Sequence, residues 1–241
     1  MQIKTKAIVL TSLKYGEADL IVKCLTEVGV KSYLLRSIFR SKSKKLKIGY
    51  FQPLSQLEIA AFHNKQGNLN KIAEARVHYL YQSLATNIYK QSIALFLAEV
   101  LAYALKEEEE NYLQFEYIET ALKWLDLNDS FADFHLVFML ELTKYLGFYP
   151  DTASMNAGFF DLEEGNFTVL QPFRSFIKDE KLILFKSLIG IKFDDMLGLK
   201  WNSESRQTVL DILLEYYELH LPGFRKPRSL KVLKEVFNEI S

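Results

Sequence analysis

The chain has 241 residues, 49% hydrophobic and 25% charged, an ordinary globular composition with room for one large domain or two small ones. Its 30 Lys/Arg and 30 Asp/Glu cancel, but residues 1–80 hold 14 basic against 5 acidic side chains and residues 81–241 hold 16 against 25, a division of +9 and −9. The single cysteine, Cys24, excludes an internal disulfide or a cysteine-built zinc site, fits a reducing compartment, and reads as buried packing rather than a nucleophile.

From Ile3 to about Tyr81 the pattern is strand-like. Ile8 and Leu10 lead off, Leu20-Ile21-Val22 follow the turn at Tyr15-Gly16-Glu17, and Tyr33 to Ile38 alternate after a second turn at Val28-Gly29. A fourth segment covers Phe51 to Phe62, and a fifth, Leu69 to Val77, follows Gln66-Gly67-Asn68. Five short strands in about 80 residues suit a small closed β-barrel, which hides the edges of so small an antiparallel sheet. In the connection after the third strand lie Lys31, Arg36, Arg40, Lys42, Lys44, Lys45 and Lys47, with no acidic residue among them. A run so one-sided repels itself, and a polyanion, foremost nucleic acid, is the usual reason to keep it. The competing reading is a solvated loop with incidental charge.

After Tyr81 the period becomes helical. A long helix runs from about Leu84 to Lys106; its apolar stretch Ile93 to Leu105 is interrupted by Glu99 and reads as a buried helix, not a membrane span. The acidic run Glu107 to Glu110 reads as a solvated turn. Helices follow over Tyr112 to Leu127 and from Ser130 to Leu146, the latter opened by Ser130 and Asp133 spaced as a capping box and ended by Gly147 and Pro150. Phe148 to Phe176 is rich in Gly, Asn and Pro, with a short hairpin expected at Glu164-Gly165-Asn166. Helical patterns return over Glu180 to Ile189, Ser205 to Leu221 and Leu230 to Ile240. The expected class is α+β: a barrel over residues 1–80, then a helical domain over 81–241 with an irregular insert at about 148–176. The apolar run at the N-terminus, Ala7 to Leu10, is too short for a signal-peptide core, and a cytoplasmic protein is expected.

Several local signatures, in order, resemble the bacterial recombination mediator RecO family: Ala7-Ile8-Val9-Leu10 with Tyr15-Gly16-Glu17-Ala18-Asp19-Leu20; the basic run Arg36 to Lys47 with Phe51-Gln52-Pro53-Leu54; and Leu69 to Ala75. So do Leu146-Gly147-Phe148-Tyr149-Pro150-Asp151, Phe160-Asp161-Leu162-Glu163-Glu164-Gly165 and Pro227-Arg228-Ser229-Leu230, so that the resemblance spans nearly the whole chain. It implies an oligonucleotide-binding (OB) fold followed by a helical domain. It also implies a protein that binds single- and double-stranded DNA, anneals complementary strands and helps load the RecA recombinase onto DNA coated by single-stranded DNA-binding protein, together with RecR. Many family members carry a four-cysteine zinc module after the Leu-Gly-x-x-Pro segment. Here Thr152-Ala153-Ser154-Met155-Asn156-Ala157-Gly158 stands there, and His63, His78, His135 and His220 are scattered one per element, so no metal or other cofactor is expected. The insert is then expected to be held by Phe159, Phe160, Phe167 and Val169.

The expected DNA-binding residues are Lys14, Lys31, Arg36, Arg40, Lys42, Lys44, Lys45 and Lys47, with the two arginines best suited to bidentate phosphate contacts. Lys6 and Lys23 would extend that face, and Tyr15, Tyr33, Phe39 and Tyr50 would either stack on bases or serve as packing. A second basic cluster, Arg225, Lys226, Arg228 and Lys231, with Lys234, suits an acidic peptide with an apolar end; the resemblance names the C-terminal tail of single-stranded DNA-binding protein. No phosphate loop, nucleophile elbow or zinc helix is present, and Asp194-Asp195 reads as a helix start rather than a nuclease metal site. The reading is a non-enzymatic, nucleoid-associated DNA-binding mediator of recombinational repair. The alternatives are an OB-fold RNA-binding module and a protein-docking adaptor using its basic face.

Overall fold

Over much of the first five strands alternate residues are apolar and turn to one interior, and this alternation builds the sheet. In the computed structural model, which describes residues 2–40, 46–64, 69–107 and 110–238, the strands are β1 (Gln2–Tyr15), β2 (Asp19–Thr26), β3 (Gly29–Leu35), β4 (Gln56–Phe62) and β5 (Lys71–Tyr79). They form an antiparallel sheet of order β3-β2-β1-β4-β5. Ala7, Val9, Leu20, Val22, Cys24, Tyr33, Leu35, Leu57, Ile59 and Ala61 face one another in its core. The two outer strands meet at Tyr33 and Asn70, in parallel register. There Leu34 N–H donates to Asn70 O at 2.9 Å and Asn70 N–H donates to Ser32 O at 3.0 Å, so the sheet bends round on itself. Ile8 and Leu10, on the opposite side of β1 from Val9, are also buried, and helix α1 (Ile88–Ala104) packs against that strand.

The expected helix from Leu84 begins instead at Ile88. Residues Gln82 to Leu84 are held in a turn by a carboxylate that lies far along the chain. Asp126, near the end of α2 (Tyr112–Leu127), accepts the backbone N–H groups of Gln82, Ser83 and Leu84 at 2.8–3.0 Å and the Tyr79 hydroxyl at 3.2 Å. Its own carbonyl accepts the ammonium of the buried Lys90 at 3.0 Å. Burial works against the Asp126 charge, but these donors, Leu84 N–H foremost, outweigh it and hold the carboxyl below its ordinary range.

By compactness the chain divides into Met1–Leu127 with Pro227–Ser229, and Asn128–Lys226 with Leu230–Ser241. The second unit contains α3 (Phe134–Leu146), a three-stranded sheet of β6 (Phe159–Asp161), β7 (Asn166–Thr168) and β8 (Phe176–Lys178), then α4 (Asp179–Leu188), α5 (Ser203–His220) and α6 (Leu230–Asn238). The expected hairpin is β6–β7. Asp133 precedes α3 but makes no capping bond; it pairs with Arg206 at 2.6 Å, so the capping box does not form. Asp194 and Asp195 do open a helical turn, of 3-10 type. The insert is held by Phe160 and Phe167, buried against Phe185 and Tyr216, and by the half-buried Phe159 edge-on to Phe176. Val169, expected among them, is 78% exposed, because it lies past the end of β7. Phe148 stacks on His220 with centroids 5.0 Å apart, and the Tyr216 hydroxyl donates to Phe148 O at 2.7 Å. Among the described residues no three His, Cys, Asp or Glu side chains gather as a metal requires, and no helix is long and apolar enough to cross a membrane.

Asp126→Asn keeps the shape and removes the charged acceptor. It is expected to lower unfolding free energy at pH 7 by about 2–3 kcal/mol in urea titrations. A carboxyl held low in the folded state stabilises above its unfolded pKa of about 3.9 and loses that contribution as pH falls through its folded value, so the gap between wild type and variant narrows below about pH 4. Gly165 has φ +69°, and a Cβ there would stand 2.6 Å from the Tyr216 hydroxyl oxygen. Gly165→Ala is therefore expected to destabilise by about 1–3 kcal/mol, read as a lowered melting temperature.

Candidate nucleic-acid interface

β1 outruns its neighbour β4. The register of β4 covers β1 only from Gln2 to Ile8, whereas Thr11 to Tyr15 pair with β2 alone. A shift between Val9 and Thr11 marks the change. The β1–β2 hairpin thus projects past the end of β4, with Leu13 65% and Tyr15 57% exposed, and turns at Gly16 with φ +59°.

The segment after β3 docks against this tip. Ser37 takes the left-handed conformation at φ +54° and donates its N–H to the Asp19 carboxylate at 2.7 Å, while Phe39 N–H donates to Ala18 O at 3.2 Å. Arg40 pairs with Glu17 at the turn, and the Lys14 ammonium lies 5.5 Å from the centre of the Phe39 ring. On the far side of the basic run, Lys47 stands 5.7 Å from the Tyr50 ring, and Ser12 of the hairpin donates to Phe51 O at 2.5 Å. Lys14, Arg36, Arg40 and Lys47 are exposed, as is Phe39. Lys42, Lys44 and Lys45 lie outside the described residues.

The other expected residues have different surroundings. Lys31 is half-buried near the start of β3, opposite Cys24, about 16 Å along the strand from Arg36 at ~3.3 Å per residue. Its charge, after burial, helps lower the pKa of His63, which is bonded to the Tyr33 hydroxyl at 2.9 Å. Tyr33 itself is fully buried in the sheet's core and offers no stacking surface. Lys6 does not extend the face either: its ammonium lies 3.1 Å from the Glu119 carboxylate, which also holds Lys123 and His78 at 3.3 and 3.2 Å. Burial opposes the Glu119 charge, but Lys6 and Lys123 keep the carboxyl below its ordinary range. Lys23 donates to Ala102 O at 2.8 Å, and burial draws its pKa down. Burial also raises the Cys24 thiol, leaving it inert. The tail cations have local partners: Lys226 lies 3.6 Å from Glu218 and Lys231 3.8 Å from Glu235. Arg225 is exposed, and the Arg228 backbone N–H donates to the Glu99 carboxylate at 2.5 Å.

Sequence reasoning missed the hairpin projection and the Ser37–Asp19 pin that aims the basic segment. The only signal for the first was the polar run Thr11-Ser12 inside an apolar strand; the second is purely tertiary. The exposed Arg40–Glu17 pair is worth little in water, so the guanidinium is available to a stronger acceptor such as a phosphate. A cation beside the exposed Phe39 ring, and another beside the half-buried Tyr50, suit sugar–phosphate contact and sequence-tolerant stacking.

A five-stranded sheet bent round on itself, its third connection basic, followed by helices, defines an α+β protein of the OB-containing kind. Residues 1–81 match the family model for the recombination protein O N terminal and residues 85–230 that for the recombination protein O C terminal. The chain belongs to the RecO family. It is 47% identical to a protein named DNA repair protein RecO from Flavobacterium psychrophilum, over 99% of this chain and 100% of the relative. The likeness to proteins of the same name is 45% for Flavobacterium johnsoniae, over 99% of this chain and 100% of that one, and 38% for Bacteroides fragilis, over 98% and 99%.

Lys14→Ala with Arg36→Ala is expected to weaken single-stranded DNA binding several-fold at about 50 mM salt, while Lys31→Ala leaves it within twofold. Fluorescence anisotropy measures both, and equal losses would place the contact elsewhere.

Proposed function

We propose that this protein is a non-enzymatic DNA-binding mediator of recombinational repair, acting in the cytoplasm at the nucleoid. The OB sheet's hairpin rim and the basic run hold single- and double-stranded DNA by the sugar–phosphate backbone. Strands of either sequence then share one cationic surface that screens their mutual repulsion, which favours annealing. The helical unit docks partner proteins: a RecR-like protein and the C-terminal tail of single-stranded DNA-binding protein, and through them RecA is loaded. Arg225, Lys226, Arg228 and Lys231 are the proposed contacts for the acidic tail.

The observation that carries the reading is the pinning of the basic run at both ends onto one projecting hairpin, through Ser37 to Asp19 and through Phe51 to Ser12. The relatives' names, which say DNA repair, support it independently.

The test is anisotropy of labelled single-stranded DNA across a salt series, comparing wild type with the Lys42→Ala, Lys44→Ala, Lys45→Ala, Lys47→Ala variant. Each phosphate neutralised contributes about −0.7 to the log–log slope. A wild-type slope near −3.5, flattening in the variant, is expected, with annealing of complementary strands lost in parallel. Binding of RNA as tight as that of DNA, without annealing, would favour an RNA-binding module instead.

A further inference from the structure

Beside the basic run lies a cavity of about 500 Å³, within the first unit, between the Gly49–Gln56 segment, the end of β5 and the start of α1. That volume falls in the range of ligand sites, roughly 300–1,000 Å³. Its apolar walls include Tyr50, Pro53, Tyr81 and Leu95, and three amides border it: Gln52, Gln56 and Gln91. Tyr79 and Tyr81 meet edge-on at 5.4 Å on one side. The Lys47 ammonium lies 5.7 Å from the centre of the Tyr50 ring, one of these walls.

One wall group lacks a partner. Gln56 is 2% exposed, and its Nε2 donates to the Tyr81 hydroxyl at 3.1 Å and to Glu119 O at 3.2 Å. Its Oε1 is buried with no hydrogen-bond partner. An orphaned acceptor at the wall of an aromatic cavity is what a planar ligand bearing N–H groups on its edge satisfies. An apolar peptide side chain would fill the space but leave Gln56 Oε1 without a donor.

We propose that this cavity receives one unstacked nucleobase of the bound single strand. The proposal rests on the DNA-binding reading above and deepens it. The base lies against Tyr50 and Tyr81, its edge faces the Gln52 and Gln91 amides, and its phosphate stays outside beside Lys47. To reach Gln56 Oε1 it must turn that amide about χ3 and replace the Nε2 bonds to the Tyr81 hydroxyl and Glu119 O. Stacking against tyrosine tolerates any base, and the amides add a modest preference for bases that present N–H groups on the facing edge. A base taken out of its stack also stands ready to be handed to a complementary strand.

The test uses the full chain and a single-stranded oligonucleotide with 2-aminopurine at successive positions, whose fluorescence rises when the base leaves its stack. An end label reports binding by anisotropy at the same time. Wild type is expected to raise the 2-aminopurine signal several-fold and to prefer this strand about five-fold over one with an abasic stretch. Ala85→Leu, which adds bulk to the lining, and Gln91→Leu, which removes an amide and its bond to Ala85 O at 2.6 Å, both lie at exposed positions, and circular dichroism checks that each variant is folded. Both are expected to bind by anisotropy while losing most of the fluorescence rise. Anisotropy that saturates with silent 2-aminopurine, a rise that survives both variants, or equal affinity for the abasic strand overturns the cavity's role and leaves DNA binding standing. Absence of any anisotropy change overturns both.

Discussion

The first unit turns on a single carboxylate. Asp126 gathers three successive backbone N–H groups and a tyrosine hydroxyl from the crossing between the last strand and the first helix. Buried N–H groups without acceptors are costly, and no strand or helix continues through Gln82 to Leu84 to supply them. Because the acceptor sits at the end of α2, the crossing is ordered only when that helix is in place. Sheet, α1 and α2 therefore stand or fall together. This accounts for a compact unit that runs to Leu127 although the family boundary falls between residues 81 and 85.

The charge split of the chain has a related origin. Part of the positive charge of the sheet region is spent internally: Lys6 on Glu119 and Lys23 on Ala102 O, with Ser32 donating to the Glu107 carboxylate at 3.0 Å. These contacts lie on the helix-covered side. Of the cations that remain exposed, Lys14, Arg36, Arg40 and Lys47 lie around the projecting hairpin with Glu17 and Asp19 nearby, whereas Lys4, Lys71 and Arg76 lie on β1 and β5. The helices thus engage Lys6 and Lys23 on one side of the sheet, while Lys14, Arg36, Arg40 and Lys47 stay exposed on the rim.

Much of this was legible in the sequence. The five strands follow from period-2 alternation, because a small sheet has one interior and every second side chain must enter it. The helices after Tyr112 follow from their apolar spacing, and the basic run needs only counting. The remainder depends on partners distant in sequence. Leu84 to Asn87 carry a helical pattern, yet Asp126 claims their start. Ser130 and Asp133 have capping-box spacing, yet Arg206 claims the aspartate. Lys6 and Lys14 look alike along β1, and only α2 distinguishes them. Tyr33 and Tyr15 are equally aromatic, but strand parity sends the first inward and the hairpin's projection leaves the second outside.

The basic connection is tied at both ends by contacts that do not involve its own cations: the Ser37 N–H to Asp19 on one side and Phe51 O to Ser12 on the other. Its length and charge are therefore decoupled from the register of the sheet. Doubling a tethered loop adds only about 0.6 kcal/mol of closure entropy. Lysines can be inserted, removed or exchanged between those two anchors with little consequence for folding, so polyanion affinity becomes a separately adjustable quantity, open to drift between lineages and to deliberate retuning.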